Sequence, residues 1–137
     1  MVDALERTTE IVKKEGQLVI VHDKPIPVEL KLHRGEVLRT VGFLKDREQY
    51  EPILAANAAI ESWYGTGLVH LKARDEFPFR TRIDSFEEFQ AWLDERWEWS
   101  YLEEKVIDRI REGFGGKEDG TVLYALGTAD IVCFTRK

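Results

Sequence analysis

Residues 2–16, VDALERTTEIVKKEG, place Ala4, Leu5, Thr8, Ile11 and Val12 on one stripe at helical spacing, so the pattern predicts an amphipathic helix. Lys13 and Lys14 fall in its expected last turn, where cations suit the helix dipole, and Gly16 offers a left-handed stop. QLVIVHD follows at once, and Leu18 to Val21 is an unbroken apolar, β-branched run. Such a run predicts a strand covered on both faces, as in a parallel sheet between helices. Pro25 and Pro27 then force an extended exit. Val28, Leu30 and Leu32 alternate with polar residues and predict a half-exposed strand, while EVLRTVGFL fits a strand or a short helix.

The middle of the chain predicts a helix over DREQYEPILAANAAIESWYGTG, opened by an Asp46–Gln49 cap and closed at Gly65 or Gly67. Tyr50, Ile53, Leu54, Asn57, Ala58 and Glu61 share roughly one face of it. LVHLKARDEFPFRTRID reads as a β-hairpin about Asp75–Glu76, with Pro78 confining the second arm to an edge. Ser85 and Glu88 form a capping box, and Phe86, Phe89, Trp92, Leu93 and Trp97 follow as a helical stripe. A second box, Ser100–Glu103, precedes Leu102, Val106, Ile107 and Ile110. GFGGKEDG predicts a loop, and TVLYALGTADIVCFTRK two antiparallel arms about GTAD. These elements predict an α/β fold in one domain, residues 1–137.

Composition narrows the chemistry. A net charge of −6 over 137 residues argues against a nucleic-acid partner, which needs a concentrated basic face. No apolar run approaches the roughly 20 residues of a membrane helix, so no membrane partner is expected. The one cysteine, Cys133, allows neither an internal disulfide nor a cysteine zinc site and points to a cytoplasmic protein, with the thiol buried and inert. His22, His33 and His70 lie too far apart for a metal motif, so no metal is expected. WYGTG and GFGG do not sit between a strand and a helix, as a phosphate loop requires.

Other residues could line a substrate pocket. His22 and Asp23 end the first strand, the end at which open α/β sheets bind ligands. Tyr50, Asn57, Trp63 and Tyr64 belong to the middle helix, and Arg80 and Arg82 suit an anionic group. Trp97 and Trp99, two residues apart, cannot both face a core from one helix, so one of them is expected at a cleft, a partner or a bent junction. Catalytic residues are not assignable.

The order helix, KKEG and QLVIVHD resembles the passage into the fifth strand of class I S-adenosylmethionine-dependent methyltransferases. DSFEEFQAWL and TVLYALGTADIVCFTRK are similar to that family's late helix and terminal strand pair. The resemblance implies the C-terminal half of a Rossmann-like methyltransferase sheet: one buried strand, a C-terminal antiparallel strand pair and flanking helices, with residues 25–84 as an insertion of strands, helix and hairpin. The family's cofactor elements lie earlier in its fold. The resemblance therefore implies no S-adenosylmethionine bound by this chain alone, no independent methyl transfer, and a substrate pocket or partner surface drawn from His22, Asp23, Tyr50, Asn57, Trp63, Tyr64, Arg80 and Trp97. A non-catalytic α+β module that binds a small ligand or a protein is the alternative. The strand Leu18–Val21 would have an open edge, unless 28–32 or 37–44 folds back onto it, and such an edge predicts a homodimer or a complementary chain.

Overall fold

The computed structural model describes residues 2–47, 51–116 and 120–137. Along them run α1 (Val2–Ile11), β1 (Gln17–Asp23), β2 (Val28–Arg34), β3 (Val37–Asp46), α2 (Glu51–Gly65), β4 (Val69–Ile83), α3 (Phe86–Asp94), β5 (Ser100–Tyr101), α4 (Glu104–Phe114) and β6 (Val122–Arg136). The fold is mixed α/β. Its strands form a six-stranded antiparallel sheet in the order β1-β6-β2-β3-β5, with β4 also paired to β6.

β1 corrects the sequence reading. It runs antiparallel to β6, from Gln17 opposite Thr135 to Asp23 opposite Ala129, and ends the strand order. Leu18 is buried, but Val19 and Val21 are 57% and 55% exposed. An apolar run of four residues does not distinguish a strand covered on both faces from an edge strand, because β-branched residues favour the extended backbone in either setting. The parallel, centrally placed strand that the methyltransferase resemblance implies is therefore not the one found.

β4 and β6 correct it again. Each is one strand of 15 residues, not a pair of arms. Neither sequence turns: GTAD lies within β6, where Phe79 covers Gly127 and leaves no room for a Cβ. Glycine there serves a close approach rather than a reversal of the chain. The charged RDE stretch of β4 is tolerated because that strand is exposed almost from end to end. There is accordingly no C-terminal strand pair and no hairpin at residues 68–84.

The chain divides into two compact units. One comprises residues 1–25, 50–77 and 128–137, and the other 26–49 and 78–127, so residues 25–84 are shared between them. In the first, Leu18, Ile60, Trp63, Val69, Val132 and Phe134 form the core, with Leu5, Val12 and Ile20 packed on it. α1 ends at Ile11, before Lys13 and Lys14. Arg136 supplies the cation instead, donating from Nη1 to the carbonyls of Glu10 and Val12. The left-handed residue is Glu15 (φ 63°), not Gly16. Gly16 is needed for space, because a Cβ would stand 2.6 Å from Val12 Cγ1. Cys133 is half-buried rather than enclosed, its Sγ 3.8 Å from Gln17 Oε1.

In the second unit, Leu30, Leu32, Val41, Phe89, Ile110 and Leu123 lie at the centre of a core lined by β2, β3, α3, α4 and β6. β2 and β3 form a hairpin that turns at Gly35 (φ 59°), which settles 37–46 as a strand. The Ser85–Glu88 box caps α3: Glu88 N donates to Ser85 Oγ at 3.1 Å, and Glu88 Oε2 accepts from Asp84 N at 2.8 Å. The second box does not form. Ser100 belongs to β5 and donates to Asp46 Oδ1 at 3.2 Å, and Glu103 precedes α4 without a side-chain cap. Asp46 therefore ends β3 rather than capping α2, and Gln49, its expected capping partner, lies outside the described residues.

Candidate functional site

Helical spacing brings Asn57, Ile60, Glu61 and Tyr64 of α2 to one face. That face closes a cavity of about 170 Å³ in the first unit, completed by His22 of β1, Leu71 and Arg74 of β4, and Val132 and Phe134 of β6. The cavity is mixed in character: Ile60, Leu71, Val132 and Phe134 are apolar, and five polar side chains share the lining. Small-ligand sites combine these two features. Tyr64 leans on the floor, its ring 5.8 Å from that of Phe134 at a 43° tilt.

Behind this lining lies Asp130, only 4% exposed. A carboxylate taken out of water needs compensating charge and hydrogen bonds. Arg74 Nη2 donates to Asp130 Oδ2 at 3.0 Å. His22 sits opposite Asp130 in the β1–β6 ladder, with Nε2 3.9 Å from the same oxygen. His22 Nδ1 lies 3.2 Å from the carbonyl oxygen of Asp23, so the ring sits between that backbone group and Asp130. Arg74 and Asp130 also border a shallower depression with Lys24, Asp75 and Glu76, where Lys24 Nζ and Glu76 Oε2 pair at 2.6 Å.

The sequence-derived candidates divide accordingly. His22, Asn57 and Tyr64 meet at the cavity. Asp23 contributes its carbonyl to His22 but no side chain to the lining. Trp63 is wholly buried in the core and donates from Nε1 to Thr9 Oγ1 at 2.9 Å, so it supports the helix rather than the cavity. Arg80 and Trp97 belong to the second unit. Arg80 lies over the Tyr124 ring at 5.4 Å, and Arg82 pairs with Asp84 at 2.8 Å. Trp97 falls beyond the end of α3 and is covered by Arg47, 4.8 Å from its ring. Both Trp97 and Trp99 are exposed, so Trp97 does not pack with the helical stripe. Tyr50 lies outside the described residues.

Glu61, Leu71, Arg74 and Asp130 were not among those candidates. Asp130 carried a signal: an acidic residue inside the apolar run ADIVCF sits where a strand would bury it, and a buried carboxylate implies a cationic partner. Arg74 carried none while residues 68–84 read as a hairpin, because the expected turn placed it at a solvated tip.

Among the described residues no group of His, Cys, Asp and Glu could hold a metal ion. At about 170 Å³ the cavity is smaller than the roughly 300–1,000 Å³ of sites for drug-sized ligands. Among the described residues no helix is long and apolar enough to cross a membrane. No family model, no curated protein and no solved structure matches the chain.

Proposed function

We propose that this chain is a small-ligand-binding module whose site is the cavity under α2. One observation carries the reading: an apolar floor is ringed by polar groups whose hydrogen-bonding capacity is open. Among the described residues Asn57, Glu61 and Tyr64 make no side-chain hydrogen bond or ion pair, and Arg74 uses one of its donors on Asp130. The apolar floor supplies affinity and the polar rim fixes orientation. A cavity near 150 Å³ takes a molecule the size of benzene, so the expected ligand is compact. A role as part of a methyltransferase is the weaker reading, because it needs residues 17–23 inside a parallel sheet and β1 is an antiparallel edge.

The test is an amide NMR screen of the full chain against small organic fragments. Shift changes converging on His22, Asn57, Glu61, Tyr64 and Leu71, and lost in Asn57→Leu, are expected. Fragments that perturb only residues outside the cavity would overturn the proposal.

The open edge of β1 supports a second interaction, a homodimer. Its sequence is compatible with antiparallel self-pairing about Ile20: Val19 of one copy would oppose Val21 of the other, and Gln17 would oppose Asp23, with no like charges face to face. Sedimentation should show a dimer that Val19→Lys converts to monomer. A monomer at all concentrations would rule the pairing out.

A further inference from the structure

Resting on the cavity as the ligand site, we infer that its ligand is a zwitterion with a compact apolar body, as a free apolar α-amino acid is. The cavity walls carry opposite charges that do not meet. Glu61 comes from the helix side and Arg74 from the strand side, and no ion pair joins them although both line the same small space. Each is left with something to offer. Glu61 has its whole carboxylate free of protein partners among the described residues. Arg74 has five N–H donors and places one on Asp130.

Alternative ligand charges use this set less well. A simple anion would satisfy Arg74 and be repelled by Glu61, and a simple cation would reverse the problem. A neutral ligand would leave both charges to water at the rim. A molecule with a carboxylate at Arg74 and an ammonium at Glu61 satisfies both at once. The carboxylate gains a bidentate or shared hydrogen bond from the guanidinium, a geometry that arginine favours. The ammonium gains a charge-assisted bond to Glu61, and Asn57 and Tyr64, about one turn to either side on the same helix face, bring an amide carbonyl and a hydroxyl oxygen to the lining as further acceptors. The apolar body then covers Ile60, Leu71 and Phe134. Asp130 keeps Arg74 aimed at the site, because a buried carboxylate on one Nη restricts a side chain that would otherwise wander in solvent.

Three probes separate the possibilities: L-phenylalanine, 3-phenylpropanoate without the amine, and 2-phenylethylamine without the carboxylate, each titrated into the full chain at neutral pH and followed by amide NMR. L-phenylalanine should perturb Asn57, Glu61, Tyr64 and Leu71 and bind about two- to fivefold more tightly than either analogue, the size expected for one partly exposed charge pair. Glu61→Gln, a change at an exposed residue with no protein partner, should weaken L-phenylalanine by a similar factor and leave 3-phenylpropanoate as tight or tighter. If 3-phenylpropanoate or 2-phenylethylamine binds the cavity as well as L-phenylalanine does, the zwitterion inference falls and the ligand-binding reading stands. If none of the three enters the cavity while unrelated fragments do, the result is the same. If no small molecule enters it at all, both fall together.

Discussion

The indole of Trp63 donates to Thr9 Oγ1 at 2.9 Å, which ties α2 to α1 through one buried bond, and the Thr9 hydroxyl donates in turn to the Leu5 carbonyl at 2.7 Å within α1. Trp63 is 0% and Thr9 3% exposed, so water cannot replace a lost partner. Thr9→Val keeps the shape but leaves the indole N–H without an acceptor, which costs about 1–3 kcal/mol. Helix propensity barely separates the two residues, so it contributes little to the difference. Trp63→Phe removes the same bond and also leaves a void beside Phe134, whose ring meets the indole edge-on at 4.9 Å. At about 24 cal/mol per Å³, a void of roughly 40 Å³ adds about 1 kcal/mol to the lost transfer energy, for a total of about 2–4 kcal/mol. The double variant should fall short of the sum by about 1 kcal/mol, the value of the shared bond. Urea unfolding followed by far-ultraviolet circular dichroism, with amide NMR reporting on residues 51–65 separately, measures all three. Thr9→Val changing stability by less than about 0.3 kcal/mol at unchanged m-value would refute the buried bond, since the variant removes both the indole's acceptor and the hydroxyl's bond to Leu5. Ligand binding should survive Thr9→Val, because neither residue lines the cavity.

Two further outcomes are expected. Gly113→Ala should cost about 1–3 kcal/mol by thermal or urea unfolding, because Leu32 occupies the space its Cβ needs on the buried face of α4; Gly65→Ala, with open space around it, is the control. Glu103 should titrate below the ordinary carboxylate range, first through its hydrogen bond from Lys105, 2.7 Å away, then through that lysine's charge. With the folded value depressed, any stabilisation is present above the unfolded carboxylate's pKa and lost as pH falls through the folded one. Carboxyl NMR should show the titration, and Lys105→Ala should move it upward; no movement would remove the pairing.

The helices were legible because burial imposes a period that the sequence must carry. Helical spacing alone puts Asn57 and Glu61 on one face of α2, and the Ser85–Glu88 cap is readable from four residues. β2 was legible for the same reason, with Leu30 and Leu32 inward. What alternation cannot encode is the neighbour across a ladder. Leu18 to Val21 reads the same at an edge as inside a parallel sheet, so the sequence does not place β1. Gly127 and the Asp75–Glu76 pair are turn-forming types used in straight strands, one for contact with Phe79 and the other on an exposed edge. Once those strands were broken in the reading, Arg74 and Asp130 could not be brought together. Half of the site was therefore visible as a helix face, and the other half depended on pairings between residues more than fifty positions apart.

The interleaving of the two units has a consequence for synthesis. Gln17 finds its β partner at Thr135, and Leu18 packs in a core with Val132 and Phe134. While the ribosome is still making the intervening chain, β1 has no ladder and α1 no arginine at its end. That unit can close only after residues 128–137 have emerged, and until then the apolar segment 18–21 has no partner strand.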